Sequence, residues 1–238
     1  MDKYDVNIDG VGSITEGKYR KITINGMGTI KEDIEAEIIN INGRGKTLGK
    51  VKCNNLEVNG SFNSYDDISI CEIGEVNGYY EVNGNIKGKN LEVSGRLKAE
   101  KEIDFNKVQV SGEIIVCRDC QCGYFYLDGR ANISGLLSAD NIELNILKVN
   151  EINEIGGEKI VVKKSAYKLK SLFFIKSRKA KLICNEIEGD EIYLEYTHCN
   201  IVRGKNIEIG DGCIIDKIEY TGTLKENGNS KINNKVFL

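Results

Sequence analysis

Apolar residues recur two apart along this chain, in pairs that return every 17 residues. The marker of each return is a glycine preceded by a small polar residue. Gly26, Gly43, Gly60, Gly78, Gly95, Gly112 and Gly129 follow Asn25, Asn42, Asn59, Asn77, Ser94, Ser111 and Asp128, and Gly10 after Asp9 opens the series. Numbering each unit from 1 to 17 and ending on the glycine gives aligned columns. Position 13 holds Ile22, Ile39, Leu56, Ile73, Leu91, Val108, Phe125 and Ile142. Position 15 holds Ile24, Ile41, Val58, Val76, Val93, Val110, Leu127 and Leu144, with one extra residue between these columns before Val76. Position 8 runs Ile34, Val51, Ile68, Ile86, Ile103, Cys120 and Leu137. Position 10 runs Ala36, Cys53, Ile70, Gly88, Phe105, Cys122 and Ala139. A third pair, at positions 2 and 4, is weaker.

A spacing of two puts both side chains on one face of a strand. Three such pairs per unit predict three short strands making one three-sided coil, with like residues stacked coil on coil about 4.8 Å apart. The fold class is therefore all-β, a single-stranded parallel β-helix (β-solenoid). A helix is excluded because the apolar residues do not recur at three and four, and Asn-Gly interrupts every candidate segment.

The regular solenoid extends over 1–162. Residues 163–181, KKSAYKLKSLFFIKSRKAK, break the pattern with eight lysines or arginines and no acid. Strand pairs resume over 182–238: Ile192 with Leu194, Ile207 with Ile209, Ile218 with Tyr220. This last part reads either as a second, less regular solenoid or as a continuation of the first with an insertion between.

Composition refines this picture. The chain has 238 residues, 26 glycines, no proline and no tryptophan. Its turns must use Gly, Asn and Asp, residues that tolerate positive φ. The formal net charge is -3, so no global basic field invites nucleic acid. The first ten residues contain no apolar run, which predicts a cytoplasmic protein without a secretory signal and with reduced thiols.

Candidate chemistry is sparse. A single histidine, His198, sits in YTHCN, and no Ser-His-Asp or Cys-His arrangement can be built around it. The GxG patterns belong to the repeat and open no helix. Cys117, Cys120 and Cys122 form CxxCxC, but Cys120 and Cys122 fall in the inward columns 8 and 10. They read as packed thiols too far apart along the strand to chelate, rather than as a zinc site. No catalytic, cofactor or metal residues are assigned.

The basic-aromatic stretch is the sharper feature. Lys163, Lys164, Lys168, Lys170, Lys176 and Arg178 with Phe173 and Phe174 could meet an anionic membrane surface or an envelope or motility protein. The competing reading is a projecting loop that folds its apolar residues back on the solenoid. At the other extreme, Val6 and Ile8 already occupy positions 13 and 15, so the first coil is expected to offer an uncapped edge. Such an edge invites another copy to stack on it and makes Val6 and Ile8 a candidate polymerisation end.

The corners VNGSF, VSGRL, VSGEI and ISGLL, with GLLSADNIEL, EIGGEKIVV, IEGDEIYLE and IVRGKNIEIGDGC, resemble the bactofilin family, in particular its longer Gram-positive type. The likeness runs from about residue 5 to 224, although the proline-rich tails usual in that family are missing. It implies a right-handed β-helix that polymerises without nucleotide, often at the inner face of the membrane, as a cytoskeletal scaffold and not an enzyme. Two other functions compete. One is a monomeric solenoid that docks a membrane or partner through 163–181. The other is a β-helix acyltransferase, which the 17-residue period disfavours against the hexapeptide-based coil of that fold, about 18 residues long.

Overall fold

The computed structural model describes residues 3–165 and 180–238. Among them are 21 strands and no helix. The chain forms two compact units, Met1–Cys122 and Gly123–Leu238.

In the first unit, from Val11 onward, strands of four residues alternate with strands of eight or nine. Each pairs in parallel with its equivalent one coil on: Met27–Ile30 with Arg44–Thr47, and Ile34–Ile41 with Val51–Val58. The burial of Ile34–Ile41 shows how three predicted sides become two strands. Ile34, Ala36, Ile39 and Ile41 point inward, while Glu37 and Ile38 both face outward in succession. That break in alternation is a corner, so one bent strand covers two sides and the four-residue strand closes the third.

The aliphatic columns form the core. Ile22, Ile39, Val108, Ile24, Ile41 and Val58 are fully buried, each contributing about 1.5–3 kcal/mol of transfer free energy. The weak pair at 2 and 4 is a true inward column whose signal is blurred by size compensation. Gly28 and Gly45 occupy position 2, where a Cβ would lie 2.6 Å from Ile24 Cδ1 and 3.0 Å from the Phe62 ring respectively. Phe62 and Tyr80 fill the next two levels, stacked at 5.1 Å. The Tyr80 hydroxyl hydrogen-bonds Ser64 Oγ at 3.0 Å, and burial pushes its pKa up.

Two sequence expectations are corrected. The extra residue near Val76 lies at the corner, between Cys53/Ile70 and Asn55/Ile73. Gly74, not Ile73, therefore pairs with Leu56 in column 13. Ile70 fills the space, its Cδ1 lying 2.8 Å from where a Gly74 Cβ would be. Keeping Gly74–Val76 paired with Leu56–Val58 outweighs burying one isoleucine, because unmade backbone hydrogen bonds inside the stack are costly.

The corner glycines also act for a different reason than expected. Among the described residues positive φ occurs at Gly17, Gly212, Gly228 and Tyr196, and not at the repeat glycines Gly26, Gly43, Gly60, Gly78, Gly95 and Gly112. The requirement is close approach of backbone to backbone. A Cβ on Gly26, Gly60, Gly78 or Gly112 would lie 2.0 Å from the carbonyl oxygen of the glycine one coil earlier. The asparagines build a ladder beside them. Asn25 Nδ2 donates to Asp9 at 2.7 Å, Asn42 to Asn25 at 2.8 Å, Asn59 to Asn42 at 3.0 Å and Asn77 to Asn59 at 3.0 Å.

In the second unit, Arg130–Ile146, Val149–Lys164, Lys181–Leu194, Thr197–Ile209, Ile214–Glu226 and Lys231–Phe237 pair successively in parallel. Val149–Lys164 pairs directly with Lys181–Leu194, Ile160 opposite Ile192. Coil stacking therefore runs straight across the insertion, which leaves from one corner of one coil.

Candidate functional site

The expected polymerisation end is open in its backbone more than in its side chains. Ile8 is 8% exposed and Val6 half-buried, because the next coil already covers them. Tyr4–Ile8 pairs on one side with Gly17–Ile24, and Val11–Ile14 on one side with Met27–Ile30. Their other edges carry no partner strand among the described residues. Gly10 shows the same asymmetry. It stands where every later corner glycine would press a carbonyl, and nothing lies within 4 Å of its Cβ position. The first rung of the ladder, Asp9, accepts from Asn7 and Asn25 among the described residues.

The last described coil differs in kind. The column Ile155, Ile187, Val202, Ile218 ends on Lys235, and the column Ile160, Ile192, Ile207, Leu224 has Glu226 two residues further along its last strand. Glu226 follows Val162, Leu194 and Ile209 in its own column. Lys235 Nζ reaches both Glu226 oxygens, at 2.7 and 2.8 Å. Two apolar columns thus terminate in charges that neutralise each other.

Of the basic stretch, Lys168, Lys170, Phe173, Phe174, Lys176 and Arg178 lie outside the described residues. Lys163 and Lys164 are held at its base. The Lys163 ammonium sits 5.4 Å above the Tyr193 ring and the Lys164 ammonium 4.6 Å above the Tyr196 ring, contacts worth about 0.5–1 kcal/mol each at exposed sites. Glu195 lies between them, accepting the Tyr193 hydroxyl at 2.6 Å and the Lys164 amide at 3.1 Å. Tyr196 has φ 47°, a left-handed conformation that a bulky residue adopts only under constraint. Its ring packs where a Cβ on Gly212 would otherwise sit, 2.7 Å away.

The cysteines sit where the columns predict. Cys120 and Cys122 are buried and Cys117 is half-buried. The neighbouring Cys122 thiol, and then burial, raise the Cys120 thiol. Cys184 and Cys199 are stacked in neighbouring coils. The Cys184 thiol is raised first by the Cys199 contact and then by burial. Among the described residues no group of three or more His, Cys, Asp or Glu side chains could hold a metal ion.

Sequence reasoning missed two lateral grooves. One, of about 890 Å³ in the first unit, follows the outward positions 7 and 9. It is lined by four lysines and six carboxylates, a net acidic surface that repels polyanions. Several of these groups are engaged already: Lys18 pairs with Glu35 at 2.8 Å, and Asp33 and Asp67 accept the Lys50 and Asn85 amides at 2.8 Å. The other, of about 550 Å³, lies in the second unit and contains His198. Ile183 and Ile214 flank the imidazole on the neighbouring coils. Beside them run Asn185 and Asn200, bonded at 2.7 Å. Burial, then Lys181, lowers the His198 pKa. No carboxylate or hydroxyl hydrogen-bonds the imidazole among the described residues. The outward positions of each strand were the signal for both grooves, but their concavity is not written in any one coil.

No family model matches the chain, and no solved structure matches it. It is similar to two proteins of Bacillus subtilis strain 168, YhbF and YhbE, both described as uncharacterized. Identity to YhbF is 40% over 105 residues, 44% of this chain and 42% of YhbF. Identity to YhbE is 42% over 45 residues, 19% of each chain. The chain thus aligns with less than half the length of these curated relatives. No helix among the described residues is long and apolar enough to cross a membrane.

Proposed function

We propose that this protein is a self-associating, non-enzymatic scaffold that assembles by stacking of coils, in the manner implied by its resemblance to bactofilins. The observation that carries the reading is Gly10. Its equivalents at Gly26, Gly60 and Gly78 are glycine because the carbonyl of a neighbouring coil would lie 2.0 Å from any Cβ. Gly10 has the same corner sequence, an unpaired strand edge on the same side and open space in place of that carbonyl. A coil of a second copy supplies the missing neighbour and satisfies the edge. In the second unit the Lys235–Glu226 pair ends two apolar columns on a neutralised rather than a naked charge.

The test is Gly10→Ala. The added methyl meets nothing within 4 Å among the described residues, so the variant is expected to fold as the wild type does. In a stacked assembly it strikes the docked coil's backbone. Negative-stain microscopy and sedimentation velocity at several salt concentrations are expected to show filaments for the wild type and shortened or absent filaments for the variant. Monodisperse wild-type monomers, or filaments indifferent to Gly10→Ala, reject the reading.

A further inference from the structure

The chain contains six Asn-Gly pairs, at Asn25, Asn42, Asn59, Asn77, Asn83 and Asn227. Asn-Gly is the dipeptide most prone to spontaneous deamidation, because glycine leaves the following amide nitrogen unshielded and the backbone free to rotate. The amide nitrogen of the glycine attacks the asparagine Cγ, an N–C bond forms, and the side-chain nitrogen leaves as ammonia. Water then opens the resulting succinimide at either carbonyl, giving aspartate or isoaspartate. The reaction needs a free glycine N–H and a free side-chain amide.

Four of the pairs satisfy neither condition. At each, the asparagine and glycine N–H groups both donate to one carbonyl of the preceding coil: Ile8 for Asn25 and Gly26, Ile24 for Asn42 and Gly43, Ile41 for Asn59 and Gly60, Val58 for Asn77 and Gly78, all within 2.8–2.9 Å. Their side chains are rungs of the ladder, each donating to the rung before it. Asn227 has one lock, its Nδ2 donating to Glu208 at 3.0 Å. Asn83 has neither. Its side chain is exposed, and among the described residues neither its side chain nor the Gly84 N–H makes a hydrogen bond. Only the Asn83 backbone N–H is held, by Ser64 at 2.8 Å. The backbone of Asp66 and Asp67 packs beside the buried Gly84, where a Cβ would lie 2.4 Å from Asp66 C.

We propose that Asn83 is a spontaneous modification site, at which the native chain converts to aspartate and isoaspartate while its four ladder asparagines stay intact. The isoaspartyl product lengthens the backbone by one atom at a corner between Val82 and Ile86, both fully buried. Either product places a new carboxylate one coil from Glu100. The consequence is a covalent, age-dependent loosening of one corner in an otherwise uniform stack.

The full-length protein is incubated at mildly alkaline pH, and peptides are mapped by mass spectrometry with isoaspartyl methylation as a second readout. The Asn83 peptide is expected to deamidate more than tenfold faster than the four ladder peptides. A single lock worth about 1.4 kcal/mol already accounts for a factor of ten. Asn227 falls between, and all six rates converge in urea. Asn83→Gln removes the isoaspartyl signal of the peptide that carries residue 83, with an unchanged circular dichroism spectrum. Ladder peptides reacting as fast as Asn83 in the native protein overturn the proposal. So does an Asn83 that reacts in urea and not in the native state.

Discussion

Replacing Gly43 by alanine separates two physical accounts of the same corner. If the glycine served conformational freedom, the cost would be similar at every corner. The structure assigns it instead to a carbonyl stack: a Gly43 Cβ would lie 2.2 Å from both Asn25 O and Gly26 O. Those atoms are backbone: Gly26 O accepts the Arg44 amide at 2.8 Å, and the adjacent Ile24 O accepts the Asn42 and Gly43 amides at 2.8 and 2.9 Å. They cannot move aside without opening the coil. Overpacking a core side chain typically costs about 1–3 kcal/mol, and a rigid backbone obstacle puts Gly43→Ala at or above about 3 kcal/mol. Around a Cβ on Gly10 no atom lies within 4 Å among the described residues. There alanine only narrows the unfolded ensemble, a gain of about 0.4–1 kcal/mol. The two substitutions, identical on paper, therefore carry opposite signs. Urea titration followed by circular dichroism measures both, with amide exchange around Arg44 to report local opening in a repeat fold that need not unfold as one unit. These measurements belong at low protein concentration, where assembly adds nothing to stability. Equal effects at Gly10 and Gly43, or a neutral Gly43→Ala, refute the carbonyl-stack account.

Other measurements reach the remaining features. A thiol reagent is expected to label exposed Cys71 first and half-buried Cys117 more slowly, and the six buried cysteines only on unfolding. Burial pushes the Cys53 thiol up to about 12, so early labelling of Cys53 would contradict the packing. Lys217 and then Arg203 hold Glu219 below the ordinary glutamate range through contacts of 2.5 and 2.6 Å. A lowered folded pKa contributes stability that is present above the unfolded value, about 4.3, and is lost as pH falls through the folded one. Glu219→Gln should thus lower the urea midpoint at pH 7 and match the wild type in strong acid; a pH-independent difference would point to packing instead. Replacing Lys163, Lys164, Lys168 and Lys170 by serine tests the membrane reading. Salt-sensitive co-sedimentation with anionic vesicles, lost in the variant, is its expected signature, and wild-type protein left in the supernatant removes it.

The inward columns were legible because a strand alternates every two residues and the coil returns every 17. Both regularities are printed in Ile22, Ile39 and Leu56 as plainly as in the coordinates. The position-2 column was faint because Gly28 and Gly45 leave space that Ile24 and Phe62 occupy, a volume shared between neighbours and not a property of one residue. Cys120 and Cys122 were placed inward correctly, because a spacing of two puts both on the interior face of one strand. The groove around His198 was invisible because Ile183 and Ile214 are brought to it from other coils.

Sequence alone determined the repeat unit, the three inward faces and the polar corners, since these follow from local periodicity and from the chemistry of Asn, Gly and the aliphatic side chains. Tertiary structure decided everything that depends on the coil above or below. It made the corner glycines a matter of carbonyl approach instead of positive φ, and it put Gly74 in the column where Ile73 seemed to belong. It carried the stack past the basic insertion, ended two apolar columns on Lys235 and Glu226, and left Asn83 unlocked among locked counterparts. The physical reason is common to all of these. In a stacked coil the decisive contacts join atoms one full turn apart, and their distances are set by register, which no single turn of the sequence contains.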